Sequence, residues 1–371
     1  MTTNKGNVLF YGPFTPDSKI DKRRGGGEVG NKKTVNILSK LGYCMSILAK
    51  PYPKKIKILR VPIYFSELLL VIIKSIYKCL CLRRNLIVHI SGFYSHLIYV
   101  EFIMVLIGKF FRCYVIYEVR AGGMIYLYDK NTSIYKLFFK NTIKMSDVVL
   151  SQGSEYVDSL VKFGAKKVLY YPNFISDNIL NKIRKSENKD NKIISIVYFG
   201  RIHKAKRIDV IVDVANYIIN CGYHCDLEII GYGEDKYMLE IQGYIKERRI
   251  ESHVLFTPFC TIEEIIKIAQ NKQYFVFPSE EIREGHSNSL TEAMAMGIVP
   301  VVSDNGFNRT VVADDYLIVD GYDYKIYGDI IIDIFNSKNW ILYSNKVQKR
   351  VFDNYTEVNA AVTLKKAYNF N

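Results

Sequence analysis

Residues 274–302 read YFVFPSEEIREGHSNSLTEAMAMGIVPVV. The four apolar residues 274–277 make a buried-strand pattern, and a polar loop follows them. A helix opens near residues 287–289, Gly297 ends it, and a second apolar run returns at 298–302. Two strands joined by a crossover helix are the repeating unit of a parallel sheet.

The same alternation runs through the rest of the chain. In the first half, strand patterns fall at residues 7–11, 43–48, 86–91, 113–118, 146–151 and 167–171, with helical patterns such as 29–40 and 65–80 between them. The polar stretch KSENKDNK at 185–192 interrupts this as a linker. Strands then resume at 193–199, 226–230, 253–256, 274–277 and 298–302, and two helices are expected at 340–353 and 356–368. Thr261 and Glu264 form a capping box before a helix at 262–270. The predicted fold class is α/β, with two Rossmann-like, doubly wound domains. Residues 1–175 form the first, 176–192 the linker, 193–353 the second, and 354–371 a final helix packing back on the first. Ligands of such sheets sit at the carboxyl ends of strands, which puts the expected site in a cleft where two sheets face each other.

At 371 residues with 49% hydrophobic content, the chain is an ordinary globular protein of two-domain size. The 29 tyrosines, with abundant Lys, Asn and Ile, read as genome bias. The net charge of +14 is uneven: residues 1–170 carry 27 Lys/Arg against 10 Asp/Glu, and the remainder is close to neutral. A basic half attracts an anionic membrane, phosphorylated substrates or nucleic acid, or is simply a solvated face. Against nucleic acid, no zinc finger, RRM or helix-turn-helix pattern occurs, and the charges are dispersed over a βα pattern. The opening MTTNKGNVLFYGPF has no long apolar stretch, which predicts no secretory signal. The apolar runs 66–82 and 96–111 are interrupted by charge and too short to span a bilayer. Seven scattered cysteines without a zinc-type partner set fit reduced thiols in the cytoplasm.

Four segments carry chemistry. In Glu284-Gly-His-Ser-Asn-Ser-Leu-Thr-Glu292, two carboxylates flank a helix start whose unpaired N–H groups suit a phosphate or sugar hydroxyl; the alternative is a capped surface helix with ordinary glutamates. Phe199-Gly200-Arg201-Ile-His203-Lys204-Ala-Lys206-Arg207 ends an apolar strand in cations suited to a diphosphate. Gly231-Tyr-Gly233 is a glycine turn after another strand, and Arg24-Gly25-Gly26-Gly27-Glu28 a loop that lets backbone approach a ligand. Neither is the dinucleotide G-x-G-x-x-G fingerprint, so NAD and FAD are not expected.

The order of these pieces, together with Tyr171-Pro172-Asn173 before the linker, resembles glycosyltransferase family 4, the retaining GT-B enzymes of group 1 type, over nearly the whole chain. The resemblance implies a hexose-type donor, a UDP- or GDP-sugar, bound by the second domain. Arg201 and Lys206 would grip the diphosphate, Glu292 the ribose, and Glu284 would lie by the donor sugar. The backbone of Asn288, Ser289 and Leu290 would face the phosphates and sugar, with Gly231 and Gly233 nearby and Gly26 and Gly27 closing from the other domain. It also implies no cofactor, no metal for chemistry, and retention of anomeric configuration. Arg120 stands where many members carry a catalytic histidine; Glu284, Arg120 and Glu118 are the implied catalytic residues, with His89 a further candidate close by. The Arg-Ala-Gly-Gly form of that stretch is similar to members that build surface polysaccharides such as O-antigen, capsule or exopolysaccharide. The implied acceptor is a lipid-linked or oligosaccharide chain at the cytoplasmic face of the membrane. Lys54, Lys55, Lys57 and Arg60 before the helix at 65–82, with Arg83 and Arg84 after it, suit peripheral attachment to anionic lipid, the helix's apolar face being assigned to the core. Rival readings keep the fold as an epimerase, phosphorylase or non-catalytic sugar binder, or abandon it for a nucleic-acid-binding protein.

Overall fold

A computed structural model describes residues 5–15, 26–51, 60–92, 95–120, 122–183, 192–258, 260–280 and 284–369. The chain divides into two compact units, one of Met1–Pro172 with Ala360–Asn371, the other of Asn173–Asn359. The expected linker falls partly on residues 184–191, outside the described residues; its earlier part, 176–183, belongs to the second unit, as do residues 173–175, expected in the first domain, and 354–359, expected with the final helix.

The first unit holds strands β1 (Gly6–Gly12), β2 (Tyr43–Ala49), β3 (Leu86–Gly92), β4 (Tyr114–Val119), β5 (Val148–Ser151) and β6 (Val168–Tyr170). They pair in the order β2-β1-β3-β4-β5-β6, every pair parallel. The second unit holds β7 (Ile194–Ile202), β8 (Cys225–Gly233), β9 (Val254–Thr257), β10 (Tyr274–Phe277), β11 (Val299–Ser303) and β12 (Ile318–Val319), in the order β12-β11-β10-β7-β8-β9, again all parallel. Each of the eleven short apolar runs expected as strands becomes one, because both faces are covered by helices and such strands must be apolar throughout. Only β12, two residues long, has no pattern to betray it. Strand order reverses between β1 and β3 in one unit and between β7 and β10 in the other. Those are the points where carboxyl-end loops part and leave room for a ligand.

The glycines near the ends of β7 and β8 serve the sheet itself. Gly200 and Gly231 face each other across β7 and β8, both at strongly positive φ. A Cβ on Gly231 would lie 2.0 Å from the Gly200 carbonyl oxygen, and one on Gly233 2.2 Å from that of Ile202. Gly231 and Gly233 thus lie within β8, not in a turn after it, and the close approach of two backbones is what requires them. Gly26 and Gly27 likewise open helix α1 (Gly26–Lys40) instead of lying in a loop before it, while Arg24 and Gly25 lie outside the described residues. Tyr117, Tyr171, Tyr198 and Tyr368 are fully buried, so much of the tyrosine content is core material and not only compositional bias.

Helix α2 (Arg60–Leu82) departs most from expectation. Leu68, Val71, Ser75 and Cys79 are buried, spaced at helical intervals along one stripe, and Ser75 bonds Met104 of α3 (Ile98–Phe110). The other side is apolar as well. Val61, Phe65, Leu69, Ile73, Tyr77 and Leu80 follow each other at near-helical spacing and are all exposed, Phe65 at 64% and Tyr77 at 65%. Phe110 of α3 is 80% exposed. The sequence assigns this apolar face to the core; the structure buries only the narrow stripe, because a helix on a sheet has one contact side. Lys54, Lys55 and Lys57 lie outside the described residues. No helix among the described residues is long and apolar enough to cross a membrane.

The chain has one tryptophan, Trp340, buried in the second unit with its indole N–H donated to the Gln273 carbonyl at 2.9 Å. Its fluorescence reports that unit alone. Gly231→Ala should lower the stability seen by Trp340 in urea unfolding by about 2 kcal/mol or more, since the new methyl meets backbone that cannot rotate away. An unchanged midpoint would mean the two strands can part at no cost.

Candidate active site

In the second unit the strand-end loops of β7, β10 and β11 converge on one polar cluster. After β7 a single 3-10 turn, Lys204–Lys206, is capped by the His203 side chain, whose Nδ1 accepts from the Ala205 N–H. The turn points Lys206 inward, where its ammonium ion-pairs with Glu284 and lies 3.3 Å from Ser279 Oγ. Ser279 Oγ also lies 2.8 Å from Glu284 Oε2, and the Lys206 ammonium sits 5.2 Å from the centre of the Phe277 ring. Ser279 is held from the next strand: Ser303 Oγ and Asn305 Nδ2 both donate to its carbonyl, at 2.7 and 3.0 Å. Gly306, at φ 58°, lets the chain pass so close that a Cβ there would lie 2.3 Å from the Glu284 carbonyl oxygen. Glu284 is therefore a nearly buried carboxylate in a built pocket, its charge matched by one lysine.

The neighbouring cations differ in kind. Arg207 is committed to Asp209 and Glu280, and Lys204 reaches Glu240 at the surface. Arg201, by contrast, is exposed; its carbonyl accepts the Tyr198 hydroxyl at 2.7 Å, but its guanidinium makes no hydrogen bond or ion pair with the described residues. Of these cations, Lys206 is paired with Glu284, Arg201 has its guanidinium unengaged, and Arg207 balances the acidic start of the helix that follows.

The helix Asn288–Ala295 begins as its sequence predicts. Ser287 caps it by accepting from the Leu290 N–H at 3.4 Å, and Ser287 and Ser289 hydroxyls lie 3.1 Å apart. Leu290, Thr291, Ala293 and Met294 are buried, which leaves Asn288, Ser289 and Glu292 half-buried on the remaining side. Asn288 and Glu292 are four residues apart and so share a face one turn from the helix's N–H groups. The loop before it is pinned twice: Asn173 Nδ2 donates to the His286 carbonyl at 2.6 Å, and the His286 ring lies on Tyr355 at 4.7 Å, edge to face. His286 Nε2 lies 2.7 Å from Thr291 Oγ1, which itself donates to the Ser287 carbonyl.

In the first unit Arg120, Glu118 and His89 do come together, but in the interior. Arg120 Nε donates to Glu118 Oε1 at 2.6 Å, and Nη1 donates to the Gly27 carbonyl at 3.0 Å. A Cβ on Gly30 would lie 2.2 Å from Arg120 Nη1, so the guanidinium occupies space that only a glycine on α1 leaves. His89 and Glu118 have no exposed surface. Burial pushes the Glu118 carboxyl up, but the Arg120 guanidinium and the His89 hydrogen bond outweigh it, and it titrates below its usual range. Burial holds the His89 imidazole down, against the pull of Glu118. A neutral His89 then donates Nε2–H to Glu118 at 3.3 Å and accepts the Tyr368 hydroxyl at Nδ1 at 2.6 Å. Each polar group of this trio is matched by its neighbours.

Sequence patterns miss Ser279, Ser303, Asn305, Gly306 and Gly30. The first four lie at or just after the carboxyl ends of β10 and β11, so the rule that strand carboxyl ends carry the site marks them out once the strands are placed. Gly30, inside a helix, carries no such signal.

Residues 180–350 match the family model of the glycosyl transferases group 1. The capsular polysaccharide biosynthesis glycosyltransferase CapM of Staphylococcus aureus is 27% identical over 237 residues, covering 62% of this chain and 58% of CapM. The chain spans 58% or less of the length of the curated relatives it matches. Among solved structures, sucrose-phosphate synthase of Thermosynechococcus elongatus superposes with a TM-score of 0.74 at 14% identity, covering 98% of both chains. Anabaena HepE in complex with UDP and glucose superposes with a TM-score of 0.68 at 11% identity, covering 97% of this chain and 98% of that one. The fold is that of the GT-B glycosyltransferases.

Arg120→Ala should cost about 3–5 kcal/mol at neutral pH, because it strands the Glu118 carboxylate in the interior. With the guanidinium gone, the Glu118 carboxyl is raised instead of lowered. The deficit should therefore shrink as pH falls through the carboxylate range and Glu118 takes up a proton. Urea unfolding followed by far-UV circular dichroism at neutral and mildly acidic pH tests this; a deficit independent of pH would remove Glu118 from the explanation.

Proposed function

We propose that the chain is a retaining glycosyltransferase of family 4. It would move a hexose-type sugar from a nucleotide diphosphate sugar, a UDP-sugar before a GDP-sugar, to a lipid-linked or saccharide acceptor in bacterial surface polysaccharide synthesis. The observation that carries this is the cluster at the carboxyl ends of β7 and β10: Lys206 against Glu284, with exposed Arg201 beside the same strand end and an open helix start at Asn288. It combines two cations, backbone N–H groups and carboxylates, which are the groups a diphosphate joined to a sugar needs. The name of CapM supports the polysaccharide setting, and HepE, which holds UDP and glucose, supports the choice of nucleotide.

In this reading the donor diphosphate takes over the Lys206 ammonium, and Arg201 adds a second, bidentate cation. Freed from the lysine, Glu284 accepts hydroxyls of the donor sugar, and Glu292 accepts those of the ribose. As the bond from the anomeric carbon to the phosphate oxygen breaks, the negative charge gathers where Lys206, Arg201 and the N–H groups of Asn288 and Ser289 are aimed. The acceptor hydroxyl forms the new bond on the face the diphosphate leaves, and its proton passes to the departing phosphate oxygen. No metal enters this scheme. Arg120, Glu118 and His89 hold the first turn of α1 in place, so Gly26 and Gly27 present their backbone in a fixed position; Arg120 is then a positioning residue.

The exposed face of α2 and α3 supports peripheral attachment at the cytoplasmic side of the membrane. Large apolar side chains on one helix side, with Lys74, Arg83 and Arg84 exposed at its margins, suit insertion among acyl chains beside anionic headgroups.

Thermal unfolding with UDP, GDP and their sugar conjugates is the direct test. A uridine ligand should raise the melting temperature of the wild type, and Lys206→Ala or Glu292→Ala should abolish that shift while leaving the ligand-free transition in place. No shift with any nucleotide would sink the donor site. For the membrane, Phe65→Asp with Leu69→Asp should abolish flotation with anionic vesicles, and raised salt should weaken wild-type binding only in part, since apolar insertion is not screened. Full release by salt would make the contact purely electrostatic.

A further inference from the structure

The second unit carries a group of metal-type ligands at the end of its sheet opposite the cluster of Lys206 and Glu284. His224 immediately precedes β8 and Asp226 is its second residue, so the period of two along a strand sets them on the same face. Cys225 between them points the other way and is fully buried. β9 begins at Val254, which pairs with Leu227, so His253, one step earlier, lies beside Asp226. Strand period and parallel register together gather two imidazoles and a carboxylate, and one ligand atom from each lies within 4.8 Å of the others.

The surroundings hold these side chains in place. The Ile194 N–H donates to the His224 carbonyl at 2.9 Å, fixing the entry to β8. His253 Nδ1 lies 3.1 Å from the Cys225 carbonyl oxygen; in the tautomer that donates to it, Nε2 keeps its lone pair. A backbone carbonyl behind a histidine is the usual support of a metal-ligating imidazole. The same Nδ1 lies 3.9 Å from Asp226 Oδ1, and the rings of His224 and His253 lie 5.7 Å apart at 71°, without stacking on each other. His224 is exposed and the other two half-buried, so an ion can enter from solvent.

We propose that His224, Asp226 and His253 bind a divalent transition metal, zinc by the chemistry of two nitrogens and one oxygen, with water completing a tetrahedral site. Because β9 is the outer strand of its sheet, such an ion would staple the edge strand to β8 at a distance from the sugar chemistry. The site is structural and independent of the transferase reading.

The test uses the full chain without a histidine tag, stripped by a chelator and titrated with zinc alone by calorimetry at neutral pH. One zinc per chain is expected, with a raised melting temperature for the unit reported by Trp340. His224→Ala and Asp226→Asn should each weaken binding by about tenfold or more, since loss of even a supporting partner costs that much in metal sites. His224 is exposed, so that variant keeps its fold and separates lost ligation from lost structure. Failure to bind zinc at micromolar concentrations, or binding that both variants retain in full, overturns the proposal.

Discussion

Parallel pairing makes every strand of a sheet end on the same edge, and the chemistry of this chain depends on that edge. In the second unit it brings the ends of β7, β10 and β11 together, so that a lysine from one loop, a carboxylate from another and two anchoring side chains from a third meet without any long-range device. The close approach of β7 and β8 at Gly200 and Gly231 lets these two strands run on to the rim where Arg201 stands. The pocket is therefore a by-product of sheet geometry, decorated with charge.

The two units handle charge differently. Lys206 and Glu284 neutralise each other in a pocket that is still partly open, an arrangement a ligand can undo by offering a better anion to the lysine and hydroxyls to the carboxylate. Arg120, Glu118 and His89 are closed off, and each spends its hydrogen-bonding capacity on the others, on Tyr368 or on α1. Exchange is feasible in the first case and costly in the second, because removing one member of a buried set leaves an uncompensated charge. Cation–carboxylate pairing thus makes an accessible pair in one unit and a closed brace in the other.

Much of this was legible in the sequence. All eleven apolar runs become strands because fully covered parallel strands have to be apolar, and the capped start at Ser287 could be read from its serine and the glycine that ends the helix. What could not be read depends on partners distant in sequence. Gly231 and Gly233 look like a ligand-binding turn until β7 is set beside them. Arg120 looks like a cleft residue until Gly30, ninety positions earlier, is seen to make room for its guanidinium. The face of α2 misleads for a different reason: apolar periodicity reports that a surface avoids water but not what it meets instead.

That face has a consequence for handling the protein. A helix that shows water so many oily side chains behaves as a surfactant, and in buffer without lipid its cheapest cover is another molecule of the same kind. Preparations made without detergent will then associate through α2 in proportion to concentration, and the resulting oligomers would be a record of what the solvent lacked instead of the protein's own architecture.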